Sequence, residues 1–166
     1  MPKQIRFDET ANVPLLGLRL VREGSLDYAA KPVIHGPDDV AALLRGYMED
    51  LAQERFLVIH IDTKKRVIGV TDAFRGGLDS TPVHPREVFT SALYAGAAAI
   101  IIAHNHPSGD PWPSADDLNV TRELRKAGNM LGIELLDHLI IGRNCHLSLR
   151  ESGLVFGDDE KGKDVA

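Results

Sequence analysis

The sequence predicts an α/β fold in which a mixed β-sheet is flanked by helices. Two observations lead to this class. The apolar residues change their spacing along the chain, from a helical repeat to short β-rich runs and back again. A fully apolar run at residues 97–103, AAAIIIA, lies between two helical segments, which is typical of a strand covered on both faces. The resulting order of helix, β-hairpin, helix, strand, helix and strands places one sheet between helices.

Length and composition indicate one folded domain. The 166 residues are 43% hydrophobic and carry a net charge of -5. This acidic balance disfavours nucleic-acid binding, which usually depends on a basic patch. No apolar run approaches the roughly 20 residues that span a bilayer. A lone Cys145 excludes an internal disulfide and the N-terminus shows no secretory signal, so we expect a cytoplasmic protein without a membrane partner.

The first half of the chain predicts a helix and a β-hairpin. Residues 15–21, LLGLRLV, have the composition of a strand. Apolar residues then recur at helical spacing over residues 38–53, after Pro37, which is a favourable start. Two β-rich runs at 56–63 and 66–74 flank a short turn, and this pattern predicts a hairpin.

The second half alternates helices and strands. Pro107, Pro111 and Pro113 keep one loop irregular, because proline fixes φ and cannot donate a backbone hydrogen bond. The predicted elements around this loop are a helix from His84 to near Gly96, an apolar strand at 98–105, a helix at 114–131 that stops at Gly132, and strands at 133–142 and 146–154.

The stretch AHNHPSGDPWPSADD, residues 103–117, places two histidines at the end of the apolar strand. Residues i and i+2 of a strand point to the same side, so His104 and His106 can converge on one metal ion. The loop folds back, and Asp116 or Asp117 in the first helical turn can supply a third ligand. Three ligands leave the fourth tetrahedral position open, as in catalytic zinc sites.

The same residues have a simpler interpretation. Ser-x-x-Asp at 114–117 is also a helix-capping pattern, with an acidic side chain at the positive end of the helix dipole, and it needs no metal. A metal site is favoured by the combination of paired histidines, an irregular loop and a carboxylate at the carboxyl end of a buried strand. Ligands commonly bind at that place in α/β folds.

These blocks together resemble a known family. His104-x-His106, seven residues, Ser114, two residues and Asp117 match the JAMM metal motif of JAB/MPN-domain metalloproteases. More narrowly, the segments VHPREVFTSALYAGAAAIIIAHNHPSG, PSADD and LLDHLIIG are similar to the bacterial RadC group. The resemblance covers about residues 36–155, with several separate blocks in the right order.

The resemblance also implies the domain organisation. A RadC-type MPN/JAB domain of cytidine-deaminase-like architecture is expected over residues 36–156, after an N-terminal extension at 1–35. Residues 157–166 have the composition of a disordered tail. Longer RadC-like proteins carry a helix-hairpin-helix DNA-binding module before this domain. Residues 1–35 lack that pattern, and we expect the module to be missing.

The resemblance assigns roles to the motif residues. It selects Asp117 over Asp116 as the third ligand of one Zn²⁺, beside His104 and His106. It also implies that the Ser114 hydroxyl helps to stabilise the tetrahedral intermediate of the reaction.

Further residues are candidates for supporting roles. Hydrolysis needs a general base, and family proteins use a glutamate just before the first hairpin strand, where Glu54 lies. Glu87, in the first turn of a helix, is the alternative. His138 and its neighbour Asp137 could orient a metal ligand from behind, or His138 could simply cap a strand end. Trp112 could rim a peptide-binding cleft or pack the loop.

The expected function is hydrolysis of a peptide or isopeptide bond by zinc-activated water, with a protein or peptide substrate that the sequence does not identify. The alternative is a non-catalytic binding module, because the RadC name carries a DNA-repair association and relatives without a complete metal motif serve as scaffolds. The intact ligand set favours the enzyme. Outside the motif, His60 is expected to be structural and Cys145 inert.

Overall fold

The computed structural model describes residues 33–48, 51–76 and 83–156, together with Val21, Glu23, Gly24 and Leu26. The strand predicted at residues 15–21 therefore lies outside the described residues, except for Val21. No helix within the described ranges is long and apolar enough to cross a membrane.

The described chain forms three helices and five strands. In chain order they are α1 (Pro37–Met48), β1 (Arg55–Ile61), β2 (Val67–Arg75), α2 (Pro85–Ala95), β3 (Ala99–Asn105), α3 (Ala115–Leu131), β4 (Glu134–Gly142) and β5 (Cys145–Ser148). The strands make one sheet in the order β2-β1-β3-β4-β5. Neighbouring strands are antiparallel except β3 and β4, which are parallel and connected by α3. The predicted class, a mixed sheet flanked by helices, is confirmed.

Two apolar cores lie on opposite faces of this sheet. On one face, α1 contributes Leu44 to a core shared with Leu57, Leu139 and other odd-numbered residues of β1, β3 and β4. On the other face, α2 and α3 contribute Phe89 and Leu124, which pack against Ile102 and other even-numbered residues of the same strands. Successive residues of a strand point to opposite faces. Residue parity in β1 and β3 therefore decides which core a side chain reaches.

Two predicted elements are too long. α1 ends at Met48 rather than at residue 53, and the carbonyl of Gln53 instead accepts a hydrogen bond from the Asn105 side chain. The strand predicted at 146–154 stops at Ser148, where the chain enters turns closed by bonds such as Ser152 N to Ser148 O at 3.0 Å. At the end of α1 and at the end of β5, tertiary or turn hydrogen bonds take the place of the helix and strand hydrogen bonds that the apolar spacing predicts.

Candidate metal centre

Three predicted ligands converge where β3 ends and α3 begins. The Nε2 atoms of His104 and His106 are 2.9 Å apart. His104 Nε2 lies 3.1 Å from Asp117 Oδ1, and His106 Nε2 lies 3.6 Å from Asp117 Oδ2. His104 and Asp117 are buried, whereas His106 is half-buried. The cluster is therefore closed on the protein side and reaches solvent past His106.

Strand geometry explains how the histidines meet. His104 is an even-numbered residue of β3, so it faces α2 and α3, and its ring stacks on Phe56 with 6.3 Å between the ring centroids. His106 follows the last residue of β3. Its backbone N–H still donates to the carbonyl of Ile141 in β4, at 2.9 Å. This bond keeps His106 in line with the strand and on the same face as His104.

The loop that brings Asp117 back is fixed to the turn between β4 and β5. The carbonyl of Gly109 accepts from Arg143 N at 3.0 Å. Gly109 itself has φ +86°, a left-handed conformation that favours glycine. A Cβ added at Gly142 would lie 2.4 Å from the Gly109 carbonyl oxygen, so this close approach of the loop and the turn needs a glycine at 142.

Ser114 and Asp117 form a capping box at the start of α3. Ser114 Oγ accepts from Asp117 N at 3.1 Å, and Ser114 N donates to Asp117 Oδ2 at 2.7 Å. The Ser114 hydroxyl donates to the same oxygen at 2.6 Å. The helix-capping interpretation is confirmed, and it does not compete with a metal, because Oδ1 is directed at His104. Asp116 is exposed and lies outside the cluster.

A backbone carbonyl fixes the tautomer of His106. Its Nδ1 lies 2.7 Å from the carbonyl oxygen of Asp110. That oxygen can only accept, so Nδ1 carries the hydrogen, and in the neutral ring Nε2 keeps a bare lone pair. The lone pair points into the cluster.

A longer relay fixes the tautomer of His104. The Thr121 hydroxyl donates to the carbonyl of Asp117 at 2.5 Å, so it must accept from His138 Nδ1, 2.6 Å away. Neutral His138 then has a bare Nε2, which accepts from His104 Nδ1 at 2.8 Å. His104 Nε2 is left as a bare lone pair, so His138 and Thr121 support this candidate ligand from behind.

This donor set fits a zinc ion. Two bare imidazole nitrogens and a carboxylate oxygen are directed at one point, an arrangement that is repulsive without a cation among them. Zinc–nitrogen bonds of about 2.0–2.1 Å at tetrahedral angles would separate the two nitrogens by about 3.3 Å. The 2.9 Å separation of the His104 and His106 Nε2 atoms is close to that value.

The charge states of Asp117 and His138 suit metal binding. Burial opposes ionisation of Asp117, but its interactions with the side chains of His104, His106 and Ser114 outweigh it and hold the pKa of this carboxyl far below its usual range. Hydrogen bonding to Asp117 raises the pKa of His106 against the effect of burial. Burial lowers the pKa of His138 well below its ordinary value, and His104 adds to this. Asp117 is therefore an anion and His138 is neutral.

Glu54 lies at the edge of the cluster. The register of β1 and β3 ends with Phe56 opposite His104, and Glu54 lies two residues before Phe56 in the chain. The pKa of His106 is raised mainly by Asp117, and the charge of Glu54 raises it further. The Glu54 carbonyl accepts from Gly76 N at 3.0 Å, which extends the pairing with β2 to this residue.

Three other candidates lie elsewhere. Glu87 lines a recess of about 360 Å³ with three neighbours that do not belong to the cluster, His84, Pro85 and Arg86. Trp112 is 64% exposed, so it does not pack the loop tightly. Asp137 pairs with Ile101 on the α1 face, where its carboxylate accepts from Ser148 Oγ at 2.6 Å.

The Asp137 carboxylate faces the opposite side of the sheet from the histidine rings, and it accepts from the backbone N–H of His138 at 2.7 Å, so it contacts the backbone of that residue and not its ring. Thr121 takes part in the relay instead. Sequence reasoning missed Thr121, and the only signal for it was its position one helical turn after Asp117.

Comparison with known proteins agrees with this geometry. A family model described as RadC-like JAB domain matches residues 34–154. A UPF0758 protein of Shouchella clausii is 49% identical over 138 residues, which cover 83% of this chain and 59% of that protein. A UPF0758 protein of Clostridium perfringens is 52% identical over 126 residues, covering 76% of this chain and 56% of the relative. The chain thus spans a little over half the length of the curated relatives it matches.

Proposed function

Because the chain belongs to the RadC-like JAB domain family, we propose that it is a zinc-dependent hydrolase of JAMM type that cleaves a peptide or isopeptide bond in a protein or peptide substrate. One observation carries the proposal. His104, His106 and Asp117 converge, and hydrogen bonds behind both histidines leave their Nε2 lone pairs directed into the cluster. A purely structural zinc site would instead be closed by four protein ligands.

The chemistry divides between the ion and the chain. A zinc ion held by these three residues would lower the pKa of a coordinated water toward about 7 and polarise the substrate carbonyl. Glu54, whose charge acts on His106, accepts a proton from the attacking water and passes it to the leaving amine. The half-buried edge at His106 is the side from which substrate can approach.

Ser114 is proposed to donate to the oxyanion that develops on the substrate carbonyl. Its hydroxyl now donates to Asp117 Oδ2, so it must turn away from that oxygen during the reaction. The backbone N–H of Ser114 keeps its own bond to Asp117 Oδ2 and holds the carboxylate in place.

The test combines metal analysis with a substrate survey. Purified protein is assayed for zinc and then incubated with a mixture-based library of peptides and lysine-linked isopeptides, with products identified by mass spectrometry. We expect one zinc per chain and cleavage by the wild type. Glu54→Gln should keep zinc and lose roughly 10²- to 10⁴-fold in kcat. His104→Ala should lose the zinc.

Glu87→Gln is the matched control, and it should cleave like the wild type. Wild-type protein without zinc, or a Glu54→Gln variant with full activity, would contradict the proposal. The alternative, a DNA-associated binding module, predicts duplex binding at physiological salt that weakens steeply as salt rises. The net charge of -5 argues against it.

A further inference from the structure

We infer that Asn105, the residue between the two histidines, is a positioning residue that holds Glu54 beside the candidate metal centre. The inference rests on the proposed function, because it concerns the proposed general base. It deepens that function by connecting the base to the strand that carries the metal ligands.

The side chain of Asn105 turns away from the cluster and binds the neighbouring strand. It is 2% exposed. Its Oδ1 accepts from the backbone N–H of Arg55 at 2.8 Å, and its Nδ2 donates to the backbone carbonyl of Gln53 at 3.2 Å. Both hydrogen-bonding ends of one amide are therefore used on backbone groups fifty or so positions earlier in the chain.

These two backbone groups belong to the peptide units on either side of Glu54. The Gln53 carbonyl is part of the peptide unit before the Glu54 Cα, and the Arg55 N–H is part of the unit after it. Fixing both planar units fixes φ and ψ of Glu54, and with them the direction of its Cα–Cβ bond. Only the side-chain torsions of Glu54 then remain to be set.

Backbone pairing alone would not hold this segment against β3. The pairing of β1 with β3 begins at Phe56 and His104, and the N–H of His106 donates to Ile141 of β4. Asn105 thus extends the contact between β1 and β3 by a side chain where the ladder ends. Because its backbone lies between His104 and His106, it links the spacing of the ligands to the position of Glu54.

The test uses Asn105→Ala and Asn105→Asp in the full-length, zinc-loaded chain. Asn105→Ala removes both bonds, whereas Asn105→Asp keeps the acceptor for Arg55 N and loses the donor to Gln53. His60→Gln is the matched control, because His60 is another buried polar residue that forms a cross-strand bond, to Thr71 Oγ1 at 2.9 Å. Hydrogen exchange of the Arg55 amide, zinc content, and kcat and KM on a cleaved library peptide are measured.

We expect Asn105→Ala to speed exchange of the Arg55 amide roughly tenfold and to lower kcat roughly 10- to 100-fold, with zinc content and KM unchanged. In a Glu54→Gln background the same substitution should cost no further activity, because the group that it positions is already lost. Asn105→Asp should keep the Arg55 amide protected and lose part of kcat. His60→Gln should match the wild type.

Several results would overturn the inference: unchanged Arg55 exchange in Asn105→Ala, loss of zinc instead of kcat, or an equal loss of rate in the Glu54→Gln background. If Asn105→Ala does not fold, full kcat in Asn105→Asp overturns it. Failure of the proposed function is a separate result, seen as equal cleavage by the wild type and Glu54→Gln. A crystal structure of an Asn105 variant then decides the inference without activity, since an undisplaced Glu54 carboxylate refutes it.

Discussion

Two buried histidines on the same face of the sheet, His60 and His138, have different surroundings. His60 binds Thr71 through Nε2 at 2.9 Å, and its buried Nδ1 has no partner among the described residues. His138 uses both ring nitrogens, at 2.8 Å to His104 and 2.6 Å to Thr121. Burial lowers the pKa of both, to about 4 for His60 and well below its ordinary value for His138.

The difference shows that burial alone does not mark a functional histidine. Both rings are kept neutral in the folded protein, but His60 can take either tautomer without consequence for a neighbour. The tautomer of His138 is set by the Thr121 hydroxyl and in turn sets that of His104. A functional assignment therefore depends on what both ring nitrogens contact.

The largest expected effect is that of zinc on stability. It should depend on His104, the candidate ligand that His138 contacts, and not on His60. At free zinc about 1,000-fold above its Kd, the free energy of unfolding should rise by about 4 kcal/mol. His60→Gln should show the same rise and His104→Ala none. Urea denaturation with zinc and with a chelator measures this. If zinc raises the free energy of unfolding of His104→Ala as much as that of the wild type, the zinc does not bind at this cluster.

The next largest effect is a dependence of stability on pH that arises from His60. Its pKa is lowered from 6.5 to about 4 on folding. Between these values the unfolded chain binds a proton that the folded chain does not, so stability falls as pH falls through this window and levels off below pH 4. The expected loss is about 3 kcal/mol.

Chelated wild type and His60→Gln, compared by urea denaturation from pH 7.5 to 4, isolate this contribution, because the other titrating groups are common to both proteins. The glutamine can keep the bond to Thr71. Parallel pH profiles for the two proteins would show that His60 is not the buried base described here.

The candidate metal ligands were easier to predict from the sequence than the residues that hold them in place. His104 and His106 are two positions apart on one strand, and Ser114 with Asp117 caps the following helix, so local rules place all four. The relay joins Thr121 to His138 across 17 positions, and Asn105 bonds Gln53 across 52. A threonine inside a helix and an asparagine at a strand end carry no local signal of such contacts.

Contacts between residues distant in sequence also determine where α1 ends and which face of β4 meets α3. The apolar stripe of α1 continues in the sequence to Leu51, but residues 51–54 are not helical, and the Asn105 side chain binds the backbone of Gln53 and Arg55 there. Nothing in the segment around Asp137 shows which face of β4 meets α3, so the sequence does not predict whether Asp137 or His138 faces the cluster. That face is decided by the pairing of β4 with β3.

A smaller effect tests the relay behind His104. Thr121→Val keeps the shape of the side chain but removes the hydroxyl that accepts from His138 Nδ1. His138 is then free to take the other tautomer, and zinc affinity should fall roughly 10- to 100-fold. Thr71→Val, which removes the matching hydroxyl beside His60, is the control and should leave zinc affinity unchanged. Competition with a chromophoric chelator measures both, and equal affinities would show that the relay does not tune His104.

The smallest effect concerns the capping box, which neither buried histidine contacts. Ser114→Ala removes the oxygen that accepts from Asp117 N, and it should lower the free energy of unfolding of the metal-free protein by about 1 kcal/mol. Ser114→Thr retains a capping hydroxyl and should recover most of this. Because Ser114 N still binds Asp117 Oδ2 in both variants, zinc should bind to each. Loss of zinc from Ser114→Ala would mean that the hydroxyl, and not the backbone N–H, holds the carboxylate in place.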